Sequence, residues 1–353
     1  MNDRLINSDT HLDVGKSFEQ DNEAGKRDSK WKALFSFKKG SGLHILGVFI
    51  VLEVVCIVVS LLFPSRFPYL SSANIRVSLE ALPNLGIVSL GVGVLMIAGE
   101  FDLSVGANYT FTAIVMASLA SGGHFSPYIA ALVALGLGVG IGLLNSVLTF
   151  GIGIPSFIAT LGASLFWEGF TLFYHGANFQ SFTPSGSFAA ITAGSLGIFP
   201  SVFLWFVGLA IGLWLIIHLH RVGNHIFAVG ADAKAAEQVG VKPRRTKTFA
   251  FAIAGLTAAL SGILATARTS SIVPGQGASL PLDAIAACVI GGLALMGGQG
   301  TILGVFLGAA MIYTIQDILL LAGAPGFYLQ LFVGLLIIAA AGFNQRAGRR
   351  ARG

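Results

Sequence analysis

Charged side chains are scarce in this chain. Asp, Glu, Lys and Arg make up 10% of its 353 residues, where a soluble domain carries about 25%. That deficit argues against a protein that keeps its surface in water. Cysteine is nearly absent too. Cys56 and Cys288 lie far apart in apolar runs, so a disulfide framework or a thiolate metal site lacks the residues it needs. Catalytic signatures are also missing. "VGKS" at 14–17 ends like a phosphate-binding loop, but that pattern requires glycine where Thr10 stands. There is no H-E-x-x-H helix and no G-x-S-x-G turn. The expectation is a non-enzyme with no metal or cofactor of its own.

What the chain has in abundance is apolar surface and glycine. Hydrophobic residues reach 54%, with 46 glycines, and glycine is commoner in membrane helices than in soluble ones. A spanning helix needs about 20 mostly apolar residues. Ten such runs are read, at 44–63, 84–98, 104–122, 127–150, 157–175, 200–219, 249–270, 283–298, 301–321 and 326–343. Two of them, 84–98 and 283–298, are short and glycine-rich, and 73–83 reads as a short amphipathic helix leading into the first of these. The expected fold is an all-α polytopic membrane protein of about ten transmembrane helices.

The basic residues fix its orientation. Eight lie in 1–43, six in 220–248 and four in 346–353, leaving only Arg66, Arg76 and Arg268 elsewhere. Cytoplasmic segments carry the excess of Lys and Arg. Six spans separate the first basic region from the second and four separate the second from the third, so all three fall on one side. Both termini and the 220–248 loop are then cytoplasmic. The net charge of +5 is explained by this topology, and nucleic acid is not an expected partner. Residues 1–43 mix acids and bases around no apolar core and read as a disordered cytoplasmic tail. They are not read as a cleavable signal peptide, because the first apolar run begins late and is long enough to span. Residues 44–343 form the membrane domain, and 344–353 a basic cytoplasmic tail.

Within this frame, "GEFDLSVG" at 99–106 stands out, because Glu100 and Asp102 are flanked by apolar runs. Intramembrane carboxylates are costly and often functional. Asp102 precedes "LSVGAN" and Asp283 precedes "AIAACV", each at the start of the second span in a group of four. The two groups, spans two to five and seven to ten, run in opposite senses, as in transporters built from inverted repeats. Two further helices complete the count. An Asp at such a position accepts a hydrogen bond from the N–H two or three residues on and suits the helix dipole. Glu100 is read either as facing water at the cytoplasmic boundary or as holding a partner inside the bundle.

Three stretches together resemble the permease subunits of bacterial ABC importers for monosaccharides, the ribose-type family. They are "GEFDLSVGA", the loop "GNHIFAVGADAKAAEQVGVKPRRTKTFAFAIAG" at 223–255, and "LDAIAACVIGGLALMGGQGTILG" at 282–304. The resemblance covers roughly 75–343. Its signature turn falls on Gly99, Asp102, Ser104 and Gly106. Glu100 and Phe101 depart from the family pattern, as does the pair Trp167-Glu168. The resemblance implies the bacterial inner membrane, a second permease copy in a homo- or heterodimer, a cytoplasmic ABC ATPase that supplies ATP and Mg chemistry, and a periplasmic sugar-binding protein. It also implies that 220–248 couples to the ATPase. In that loop Asp232 can cap a short helix, Ala233 to Val239, ended by Gly240 and Pro243. Gly230 lets the chain turn into it, and the small Ala235 and Ala236 allow close approach to a groove.

Polar residues inside the spans are candidates for a pathway: Asn108, Asn145, Trp167, Glu168, Tyr313, Gln316 and Asp317. Each can equally be a helix–helix hydrogen bond. The competing reading is an ion-coupled carrier of small polar solutes using Glu100, Asp102, Glu168 or Asp317. Within the importer reading, nucleosides, autoinducer-2 and branched-chain amino acids are alternative substrates.

Overall fold

A computed structural model describes residues 42–342, apart from 124, 329, 336, 337 and 339–341. The expected tails therefore lie outside the described residues, except for 42 and 43, which open the first helix. The helices in chain order are α1 (Gly42–Leu62), α2 (Ser72–Ile97), α3 (Val105–Ser121), α4 (Pro127–Val147), α5 (Ser156–His175), α6 (Gly186–Thr192), α7 (Ser201–Trp214), α8 (Arg221–Ala231), α9 (Ala233–Gln238), α10 (Pro243–Thr269), α11 (Leu280–Ile290) and α12 (Ile302–Leu321), followed by a short apolar α13 (Gly326–Leu335). One-turn π-helical stretches continue α4 through Leu148–Ile152 and α7 through Leu215–Leu219. The fold is all-α and polytopic. Among the described residues seven helices are long and apolar enough to cross a membrane, and α3, α11 and α13 are shorter apolar helices.

Two expected elements are redrawn. The amphipathic segment 73–83 and the span 84–98 are one continuous helix, α2, which carries Pro83 in its interior. The span 283–298 is a helix only as far as Ile290. Beyond it the chain is irregular to Thr301, turning through Gly292, Gly297, Gly298 and Gly300, all at positive φ. Such a backbone is open to glycine at no steric cost. The apolar run was real, but hydropathy does not distinguish a helix from a buried glycine-rich turn.

The long helices interlock in a reciprocal way. α10 lies along α4, α2 and α3, while α2 lies along α12 and α11 as well as α10. If α2 and α10 open two matching groups, each packs on the second and third helices of the other group. Glycine allows the crossings to be close. A Cβ on Gly138 of α4 would strike Ala259 and the Gly255 carbonyl of α10, and one on Gly255 would strike the Gly138 carbonyl. Gly291 and Gly304 do the same between α11 and α12. Small residues at such crossings gain van der Waals contact that the lipid environment does not supply. Two minimal antiparallel ribbons, Gln180–Ser181 (β1) with Ser271–Ile272 (β4) and Ser195–Leu196 (β2) with Phe199–Pro200 (β3), tie loops together.

Candidate functional site

The three stretches that carried the resemblance meet at one end of the bundle. α2 finishes at Ile97, and the chain turns at Gly99 with φ 81°. The Ile97 carbonyl accepts a hydrogen bond from Gly298 N at 2.8 Å. Gly230, near the end of α8, fits into the remaining space. A Cβ there would collide with the Ile97 carbonyl and with Gly298 N, and one on Gly297 would collide with Gly99 and the Gly230 carbonyl. Backbone therefore touches backbone where the signature turn, the 220–248 loop and the Gly-Gly turn converge.

α8 was not anticipated, since 220–248 was read as a loop around one short helix. It buries Gly223, Ile226 and Val229, three residues apart on one face, against the bundle. That spacing was a signal in the sequence. α9 then follows almost where expected. Asp232 caps it, its Oδ1 accepting from Lys234 N at 2.9 Å and Ala235 N at 3.0 Å. Gly240 ends it with φ 87°. Ala236, read as part of a docking face, is instead turned inward and buried. Its small size serves close approach to the bundle. The outward face of α9 and its end is Lys234, Ala235, Glu237, Gln238 and Val239, the last 78% exposed.

The signature turn is held from all sides. Asp102 is almost fully buried. Its Oδ1 accepts from Ser104 N at 2.8 Å and Ser104 Oγ at 2.7 Å, and its Oδ2 accepts from Asn145 Nδ2 at 3.1 Å. The bond two residues on is the one anticipated, but α3 starts only at Val105 with Ser104 in the cap position. Asp102 thus shapes the turn before the helix. Asn145 Nδ2 also donates to Ser104 Oγ at 2.7 Å, and Leu103 N donates to Thr160 Oγ1 at 3.0 Å. Gly106 lies against the Gly277 carbonyl, where a Cβ would not fit. Glu100 forms an ion pair with Lys247 Nζ at 2.6 Å, both side chains being largely shielded. Lys247 also stands 5.8 Å over the Phe150 ring. The sequence had counted Lys247 only as an orientation anchor. It joins the first turns of α10 to the signature turn.

The candidate pathway residues do not form one group. Asn108 donates to the Gly138 and Gly255 carbonyls at 3.1 and 3.3 Å and so fastens the α3, α4 and α10 crossing. Asn145 belongs to the signature turn. Trp167 packs against Phe111 with the rings tilted by 34° and centroids 4.9 Å apart, and Glu168 accepts from Ser164 Oγ at 3.4 Å on its own helix. Asp317 accepts from Asn74 Nδ2 at 2.8 Å, with Tyr313 and Gln316 half-buried beside it on α12. Nearby, Glu53 accepts from Tyr69 Oη at 2.8 Å and Thr314 Oγ1 at 3.0 Å. Among the described residues no group of three His, Cys, Asp or Glu side chains is placed to hold a metal ion.

The family model described as the branched-chain amino acid transport system permease component matches residues 77–341. The chain is 30% identical over 299 residues to the autoinducer 2 import system permease protein of Salmonella choleraesuis, covering 84% of each chain. It is 33% identical over 298 residues to the ribose import permease protein of Bacillus subtilis, covering 84% of this chain and 91% of the relative. It is 33% identical over 251 residues to the xylose/arabinose import permease protein of Sulfolobus acidocaldarius, covering 69% of each. No solved structure matches it.

Proposed function

Because this chain belongs to the permease-component family of the branched-chain amino acid transport type, and within it to the ribose-type sugar importers, we propose that it forms the translocation pathway of an ATP-driven importer for a monosaccharide. It is a multi-pass inner-membrane protein and acts as an import permease subunit, not as an enzyme. In the proposed assembly a cytoplasmic ABC ATPase hydrolyses Mg-ATP, a periplasmic binding protein delivers the sugar, and a second permease copy completes the membrane part. The relatives named for ribose, xylose or arabinose and autoinducer 2 support a small polyhydroxylated substrate.

The observation that carries the coupling reading is the junction of Gly99, Gly230, Gly297 and Gly298 directly behind α9. A push on the outward face of α9 reaches the ends of α2 and of the 291–301 turn without passing through a flexible side chain. Glu100 and Asp102 are both engaged in structural bonds, which weakens the ion-carrier alternative. The test is Val239→Glu. This position is exposed, so folding and insertion should survive. Co-purification of the ATPase should fall, and the remaining complex should lose stimulation of hydrolysis by loaded binding protein in liposomes. Normal assembly and normal stimulation would remove α9 from the coupling mechanism.

A further inference from the structure

A groove opens on the surface of the bundle, away from the junction. α7 and α10 both pack on α2, and side chains of α7, α10 and Ile191 line an open space of about 750 Å³. Its depth comes from missing side chains. Gly208 and Gly212 stand four residues apart on one face of α7, and a Cβ on either would meet nothing within 4 Å. Around them Leu204, Ile216, Phe249 and Leu256 are each between 37% and 41% exposed.

The lining selects the occupant. Three of its side chains carry polar groups, Ser201, Trp205 and Thr257. Ser201 Oγ donates to the Ala190 carbonyl at 2.8 Å, Trp205 Nε1 to the Ile191 carbonyl at 3.1 Å and Thr257 Oγ1 to the Ala254 carbonyl at 3.0 Å. Their donors are spent inside the protein, so the groove offers a sugar hydroxyl little in exchange for water and suits hydrocarbon. From Leu204 to Ile216 it runs roughly 18 Å along α7, enough for a chain that reaches through one leaflet of a ~30 Å core.

One end of the groove is charged. α7 leads into α8 and α10 follows α9, so Ile216 and Phe249 lie toward the end that the basic residues assign to the cytoplasm. Arg245 precedes Phe249 by four residues on the same face of α10, and Arg221 opens α8 five residues after Ile216. Both are exposed, and neither forms an ion pair among the described residues. Lys247, by contrast, is held by Glu100.

We propose that this groove binds one anionic phospholipid of the cytoplasmic leaflet, with an acyl chain between α7 and α10 and its phosphate at Arg245 and Arg221. Basic residues at the cytoplasmic end of membrane helices attract anionic headgroups, and these two arginines place that charge at the mouth of an apolar slot. The site goes beyond the import reading and does not depend on the substrate. Its walls are the helices that enter and leave the α8–α9 segment, so the lipid sits as a wedge beside the part proposed to couple to the ATPase.

The experiment is native mass spectrometry of the full chain, purified in detergent and titrated with phosphatidylglycerol or with phosphatidylethanolamine of matched acyl chains. The wild type should retain one phosphatidylglycerol at concentrations where phosphatidylethanolamine is not retained. The double variant Gly208→Leu, Gly212→Leu fills the groove with side chains that a helix favours and should weaken retention at least about tenfold. Arg245→Gln leaves the groove open and should weaken phosphatidylglycerol about fivefold without changing phosphatidylethanolamine. Its exposed position keeps the test decisive if the double variant does not fold. Equal retention of the two lipids by the wild type, or unchanged phosphatidylglycerol binding in the folded variants, would overturn the site. Loss of a permease dimer in the groove-filled variant, with lipid binding unchanged, would assign the groove to a second copy of the chain instead.

Discussion

Asp102 has almost no exposed surface and accepts three hydrogen bonds, two from Ser104 and one from Asn145. Those hydrogen bonds, fixed by the turn, offset the cost of burying a carboxylate in an apolar run. Asn145 Oδ1 finds no partner among the described residues, so turning its amide would give up no bond on the oxygen side. Asp102→Asn should therefore fold and keep much of its transport, because the Asn145 amide can turn to offer oxygen to the new nitrogen. Asp102→Leu strands the donors of Ser104 and Asn145 and should cost at least about 2 kcal/mol. Thermal melting in detergent and uptake per folded complex distinguish the two, and loss of uptake by a stable Asp102→Asn would assign the charge a direct role. The Glu100–Lys247 pair invites a swap. Glu100→Lys and Lys247→Glu alone place like charges in a shielded site and should each abolish uptake. The double variant should recover a clear fraction of it, and a double variant no better than either single would show that the pair is not what matters. The sequence offered Glu100 two alternatives, water or a partner in the bundle. Only the fold brings together positions 147 residues apart.

At the scale of elements, glycines divide by what surrounds them. Gly230 and Gly240 both read as turn signals on either side of α9, yet their surroundings differ. Gly230 is enclosed by the backbones of Ile97 and Gly298, whereas Gly240 has open space and a φ of 87°. Gly230→Ala should cost about 1–3 kcal/mol through overpacking and uncouple hydrolysis from uptake. Gly240→Asn should be tolerated, because Asn accepts that φ, while Gly240→Val should strain the end of α9. Equal damage from Gly230→Ala and Gly240→Asn in an ATPase stimulation assay would show that crowding is not the cause. The position of α9 was legible because an aspartate cap and a glycine stop are local signals. The inward turn of Ala236 was not, because a small side chain suits either face. The break after Ile290 was masked for a related reason, since leucine, alanine and methionine between glycines raise hydropathy whether or not they form a helix.

Over the whole molecule, α2 and α10 each pack on the second and third helices of the other's group, while the opposed sense of the two groups is an expectation from charge parity and hydropathy. The parity reading makes a topological prediction of its own. With Cys56 and Cys288 both buried, single cysteines at Phe125 and Ile198 should react with an impermeant maleimide added from outside. A cysteine at Lys234 should react only after the membrane is opened, and labelling of Lys234→Cys from outside would invert the topology. Apolar runs and basic segments were visible in one dimension because the bilayer imposes length and charge rules residue by residue. The meeting of Gly99, Gly230 and Gly298 was not, because these residues come from three stretches far apart in the chain. The junction of Gly99, Gly230 and Gly298 also has a mechanical consequence. Side chains between two moving parts absorb small displacements by changing rotamer, as lost motion does in a worn gear. A joint of bare main chain has no such slack. Small shifts of α9 should reach α2 at nearly full amplitude, and the timing of the outer face should follow nucleotide turnover with little lag.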